Sequence, residues 1–159
     1  MMNKNIINPY EIILDIDSLD PLDAQALVSA KEGLEKSYAP YSNFNVGAAI
    51  LAGDKIYLGA NQENASYPLC MCAERVALYN YAMHESNLPA THLGIVVRNP
   101  NNPVTKPGTP CGACRQVILE YELRQKADIR LILQGESGEI WILPSVKTLL
   151  PLYFDPDLL

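Results

Sequence analysis

The sequence predicts a single α/β domain in three layers (α/β/α), with a mixed five-stranded sheet at its centre and helices on both faces. Three observations predict it. Helical and strand patterns run in the order α–β–β–α–β–α–β–β–α, an alternation that favours a sheet covered on both sides. Two of the strand pairs are joined by the short stretches "AGD" and "GESG", which fit antiparallel turns and not helical crossovers. The length of 159 residues and the 48% hydrophobic content suit one domain with a substantial core, with no internal repeat or linker to divide it.

Each element has its own signal. Residues 1–20 read as an N-terminal extension and residues 21–159 as the domain proper. The first helix opens at Asp20-Pro21, with Asp20 as N-cap and proline at the first helical position. Leu27, Ala30 and Leu34 give it an apolar face, and it must end before Pro40. Residues 45–51 and 55–60 form a hairpin around "AGD". A second helix runs from near Cys72 to about His84. "LGIVV", residues 93–97, is a continuous apolar run and therefore a buried strand. "PVTKPGTP" is a loop. A third helix begins near Cys111 and continues through "RQVILEYEL". "DIRLILQ" and "EIWILP" are the last two strands, and a short helix over 145–150 stops at Pro151.

Composition narrows the function. The net charge is −6 and no Lys/Arg cluster forms a basic face, so nucleic acid is not an expected partner. No apolar run reaches eighteen residues, so no membrane span is expected. The first residues lack a signal peptide, because the apolar stretch at 12–16 is short and broken by Asp15. A cytoplasmic location and a small-molecule partner are therefore the expectation. In a reducing compartment, four thiols in two short segments point to metal binding or catalysis before disulfides.

Those segments are "CMCAERVA" and "PGTPCGACRQ". Alone, the Cys111/Cys114 pair could be a redox couple, half of a structural zinc site, or coincidence. Cys70 and Cys72, one residue apart, make a poor second chelate pair for a closed four-cysteine site. Cys72, Cys111 and Cys114 would instead leave the fourth tetrahedral position of Zn²⁺ open, which distinguishes catalytic from structural zinc. Both segments fall at the start of a helix, where the dipole and free N–H groups favour thiolate. Glu74 lies two residues after Cys72, placed beside the open position without being a ligand. Zinc deaminases carry His-x-Glu followed by Pro-Cys-x-x-Cys, with a three-cysteine variant. Here the series is Cys72-Ala73-Glu74, then Pro110-Cys111-Gly112-Ala113-Cys114.

Beyond these motifs, "YAPYSNFNVGAAIL", "NQENASYP", "CAER" and "PCGACRQV" follow one another in the order found in the small homotetrameric cytidine deaminases. From about Ser37 to Phe154 the chain resembles that family. The departures are Gln62, where the family usually has Ile or Val, Ala60, where it often has Cys, and the extra residues before the first helix. The resemblance implies a cytidine-deaminase-like fold and one Zn²⁺ per chain held by Cys72, Cys111 and Cys114. It implies Glu74 as proton shuttle, and Arg75 hydrogen-bonded to two of the thiolates. Asn61 and Glu63 would bind the sugar, chiefly its 3′-hydroxyl, and Phe44 would stack on the pyrimidine. Phe154 would reach a neighbouring subunit's site in a homotetramer with shared active sites. Cys70 matches no ligand position.

The implied reaction is hydrolytic deamination of cytidine and 2′-deoxycytidine to the uridines with release of ammonia, a step of pyrimidine salvage. Three rivals stand beside it. One is a deaminase of the same fold acting on a modified aminopyrimidine nucleoside. Another is a thiol redox protein using Cys111 and Cys114, which leaves Cys72 and Glu74 without a purpose. The last is a zinc-stabilised interaction module without turnover.

Overall fold

The computed structural model describes residues 10–84 and 87–156. Its strands are β1 (Glu11–Ile13), β2 (Asn45–Ala52), β3 (Lys55–Ala60), β4 (His92–Arg98), β5 (Arg130–Gln134) and β6 (Ile140–Leu143). Its helices are α1 (Pro21–Leu34), α2 (Ala73–His84) and α3 (Gly112–Gln125), with 3-10 turns at Ile16–Ser18, Tyr67–Leu69 and Val146–Thr148.

The strands form one mixed sheet in the order β1-β6-β5-β4-β2-β3. Only β4 and β5 are parallel, joined across one face by α3, while every other pairing is antiparallel. Helix α1 packs on one face, where Leu27, Ala30 and Leu34 meet Ala49, Leu51, Val96, Ile132 and Ile142. Helices α2 and α3 cover the other, where Ala77, Leu78, Ile118 and Leu119 meet Ile50, Ile95, Leu131 and Leu133. Burying each such Leu or Ile is worth about 1.5–3 kcal/mol.

Glycines set how closely the helices lie. A Cβ on Gly59 of β3 would run into the Ala73 carbonyl oxygen and the Ala77 amide nitrogen of α2. Gly94 of β4 makes the same allowance for the Ala26 carbonyl of α1. Helix α2 therefore sits with its first turn against the end of β3, and this close seat fixes where Cys72 and Glu74 can be.

The expected architecture is present, with a sixth strand added. Strand β1 lies ahead of α1, within residues 1–20, and pairs antiparallel with β6, Ile12 opposite Trp141. Tyr10 packs against Trp141 in a tilted arrangement, with ring centroids 5.0 Å apart. The strand has three residues, too few to show a period of two, and it forms because β6 offers an open edge. Asp20 occupies the N-cap of α1 but makes no side-chain cap bond; its carbonyl takes the first helical bond, from Ala24 N–H at 2.9 Å. The expected final helix is only a 3-10 turn, held by Ser145 Oγ accepting from Lys147 N–H at 3.1 Å.

Candidate active site

The topology gathers the expected residues at one end of the sheet. Strand β2 runs antiparallel to β4, so Val46 at its start lies opposite Val97 at the end of β4. Strand β3 ends at Ala60 opposite Gly47, which delivers Asn61–Glu63 to the same end. Gln62 then bridges Tyr38 on one side and Met71 on the other. The first turns of α2 and α3 complete the ring. A cavity of about 280 Å³ opens there, lined by Phe44, Asn61, Glu63, Cys72, Glu74 and Cys111, with Ile95 and Val97 of β4 among its other walls. It lies at the carboxyl end of a parallel strand, the usual place for ligands in open α/β sheets.

Cys72 and Cys111 each precede a helix. The Cys72 carbonyl accepts from Val76 N–H at 3.2 Å and the Cys111 carbonyl from Arg115 N–H at 2.9 Å. Cys114 follows one turn into α3 and is fully buried. The three Sγ atoms lie within 4.8 Å of one another, with Cys72–Cys111 at 3.8 Å and Cys111–Cys114 at 3.5 Å. Zn–S bonds of about 2.3 Å in a tetrahedron set sulfurs about 3.8 Å apart, so the cluster fits zinc. The close sulfurs shift one another's protonation in opposite directions. The hydrogen bond from Cys114, with help from Arg75 and Cys111, brings the Cys72 thiol down to about 5. Cys114 is pushed up, first by its bond to Cys72 and then by burial. Arg75 Nη2 donates to Cys72 Sγ at 3.7 Å, and its charge also acts on Cys114. Cys70 stands outside the cluster: its sulfur accepts from Asn64 N–H at 3.2 Å.

Glu74 is only 5% exposed and lines the cavity beside the thiols. Burial raises its carboxyl above the usual range, and the negative charge of Cys72 adds to the effect. A carboxyl lifted toward neutrality suits taking and returning a proton.

The opposite wall is a hydrogen-bonded interlock. Asn61 Oδ1 accepts from Ser37 Oγ at 2.6 Å and from Val46 N–H at 2.8 Å, and Nδ2 donates to the Phe44 carbonyl at 2.8 Å. Glu63 Oε2 accepts from Tyr41 N–H at 2.9 Å and Ser42 N–H at 3.3 Å; its Oε1 accepts from Ser42 Oγ at 2.5 Å. These bonds, the one from Ser42 Oγ foremost, hold the Glu63 carboxyl below its ordinary value. Both residues thus brace the segment carrying Phe44 as well as facing the cavity. Phe154 is not among the cavity's lining residues; it is 55% exposed, and its carbonyl accepts from Gln116 Nε2 at 3.0 Å.

Sequence reasoning missed three contributors. Ser37 and Ser42 supply hydroxyls to the interlock, and Arg115 clamps the approach to Cys111. Its Nε donates to the Pro110 carbonyl at 2.8 Å and Nη1 to the Leu149 carbonyl at 2.9 Å. The quoted segments "YAPYSNF" and "PCGACRQV" contain Ser42 and Arg115, but their partners lie too far along the chain for spacing to show them.

The chain is similar to known proteins in sequence and in fold. A cytidine deaminase of Halalkalibacterium halodurans is 40% identical over 132 residues, covering 82% of this chain and 92% of the relative. One from Sporosarcina psychrophila is 41% identical over 102 residues, covering 63% and 71%. The crystal structure of a cytidine deaminase from Burkholderia pseudomallei superposes with a TM-score of 0.69 at 39% identity, covering 82% of this chain and 97% of that one. The family model for the cytidine and deoxycytidylate deaminase zinc-binding region matches residues 21–127, the stretch that carries α1, the interlock and all three clustered thiols. The chain belongs to the cytidine and deoxycytidylate deaminase family.

Proposed function

We propose that the protein hydrolyses cytidine to uridine and ammonia, using zinc held by Cys72, Cys111 and Cys114. The observation that carries this reading is the burial of Glu74 beside three converging thiols, two of which, Cys72 and Cys111, line the same cavity as Glu74, Asn61 and Glu63. Zinc, when bound, supplies the Lewis acidity that makes water nucleophilic near neutral pH. Glu74 takes one proton from the attacking water and passes it to ring N3. It then takes the remaining proton from the new C4 hydroxyl and gives it to the amino group, which leaves as ammonia as the C4 carbonyl forms. Arg75 and the starts of α2 and α3 draw negative charge from the sulfurs, which keeps a three-thiolate site electrophilic. Phe44 stacks on the pyrimidine.

Hydrogen-bond capacity supports the sugar assignment. Both lone pairs of Asn61 Oδ1 are taken by Ser37 and Val46, and one Nδ2 proton goes to Phe44, which leaves one donor. Glu63 accepts two bonds at Oε2 and one at Oε1, which leaves one acceptor. One donor and one acceptor together satisfy a single hydroxyl, the 3′-hydroxyl in this reading. The 2′-position is then unread by this pair, and 2′-deoxycytidine is a second substrate. The enzyme serves pyrimidine salvage in the cytoplasm, as a homotetramer in which Phe154 completes a neighbour's site. Residues 21–159 form the catalytic domain, and residues 1–20 are an added extension.

The test is direct. Zinc-loaded protein incubated with cytidine should show the ultraviolet change of cytidine to uridine and release one ammonia per turnover. Free cytosine should be far poorer, since Asn61 and Glu63 would keep unpaired polar groups and the ring would lose its remote anchor. No turnover of cytidine, or equal kcat/KM for cytosine, would contradict the reading.

A further inference from the structure

The geometry points to Ser42 as a positioning residue for the substrate, its hydroxyl joining the carboxylate that reads the sugar to the ring that stacks on the base. This rests on the proposed roles of Glu63 and Phe44. Ser42 Oγ donates to Glu63 Oε1 at 2.5 Å and accepts from Phe44 N–H at 2.9 Å. It is the only hydroxyl among the described residues that touches both groups. The two backbone donors to Glu63, from Tyr41 and Ser42, reach Oε2 alone. Without the Ser42 hydroxyl, Oε1 keeps no protein partner, and the carboxylate is free to turn its remaining acceptor away from the cavity.

The backbone gives a second reason. Asn43, between Ser42 and Phe44, has φ of 57°, a left-handed conformation that non-glycine residues rarely adopt. Such a turn persists where surrounding bonds hold it, and the Ser42 Oγ–Phe44 N–H bond spans this residue. Ser42 itself is exposed and packs in no core, so its removal leaves the fold intact. The thiols and Glu74 sit at the starts of α2 and α3, elements separate from this loop. The loss should therefore fall on substrate binding and not on chemistry.

Ser42→Ala should raise KM for cytidine about tenfold, the scale of one lost charge-assisted hydrogen bond, while kcat stays within about twofold. Ser42→Thr, which keeps the hydroxyl, should restore KM; Ser42→Val, the same shape without it, should behave as Ala. Zinc content and melting temperature are matched for each variant. In a Glu63→Ala background, where KM is already raised, Ser42→Ala should add less than about threefold, because contacts that act as a unit are not additive. An unchanged KM in Ser42→Ala, equal KM for Thr and Val, or fully multiplicative effects in the double variant would overturn the inference alone. A Glu63→Ala enzyme with unaltered KM would instead remove the sugar assignment beneath it, and wild-type protein inert toward cytidine would remove the proposed function.

Discussion

At the scale of single residues, the proposed chemistry depends on Glu74, a carboxyl that burial has lifted and that lines the same cavity as Cys72 and Cys111. Glu74→Gln preserves size and hydrogen bonding but cannot accept and return a proton. It should fold, hold zinc as the wild type does, and lose kcat by at least about 10²–10⁴, the usual contribution of general acid–base catalysis. Activity within tenfold at equal zinc content would remove Glu74 from the role. Glu74 and its three cysteines were legible in the sequence because their chemistry is written in local spacing, two residues from Cys72 to Glu74 and three from Cys111 to Cys114. The interlock was not. Ser42 meets Glu63 across 21 positions, Ser37 meets Asn61 across 24, and Arg115 reaches Leu149 across 34. Only the folded sheet brings those pairs together, so no pattern in the linear chain reports them. For the same reason the bracing of the Phe44 loop by Asn61, whose Nδ2 donates to the Phe44 carbonyl, emerges from the structure alone.

At the scale of elements, the site is a seating problem: α2 must lie close enough on β3 for Cys72 to meet the thiols of α3. Gly59 permits it. Gly59→Ala puts a methyl against the backbone of Ala73 and Ala77, which no side-chain rotation relieves. The variant should lose about 1–3 kcal/mol of stability from overpacking and bind zinc more weakly, because the helix start that carries Cys72 is displaced. Gly112, in the first turn of α3, is the control. A Cβ there meets nothing within 4 Å, and Gly112→Ala should stabilise by about 0.4–1 kcal/mol through a less flexible unfolded chain. Thermal melts and zinc titration check both, and a Gly59→Ala protein with wild-type melting and zinc affinity would contradict the seating argument. Helices α1–α3 and strands β2–β6 were legible because each is long enough to show its period or its buried apolar run. Strand β1 was not, having three residues and a partner edge 127 to 131 positions further along the chain, with Ile12 opposite Trp141. The final helix failed differently: six residues before Pro151 close few helical bonds, and the chain settles for a 3-10 turn.

At the scale of the whole molecule, the C-terminal segment presents apolar surface that the described residues do not cover. Leu152 is 91% exposed and Phe154 55%, while Gln116 holds the Phe154 carbonyl and so fixes the backbone beneath an outward side chain. Burying each such side chain is worth about 1.5–3 kcal/mol, and leaving both in water on an anchored backbone suits a surface meant for a partner. The proposed tetramer supplies that partner in a second copy of the chain, with Phe154 beside the pyrimidine on which Phe44 is proposed to stack. Removing residues 152–159 should then raise KM for cytidine sharply and weaken the tetramer, while zinc content and the Glu74 environment stay as they are. A mixing experiment separates a shared site from mere loss of stability. Truncated subunits keep Glu74 but lack the tail; Glu74→Gln subunits keep the tail but lack the shuttle. Each is nearly inactive alone at low substrate. Exchanged into mixed tetramers, an intact tail from the second kind completes a working centre in the first, and activity should reappear in proportion to mixed interfaces. Light scattering that gives a fully active monomer, or mixtures no more active than the sum of their parts, would rule out the shared site.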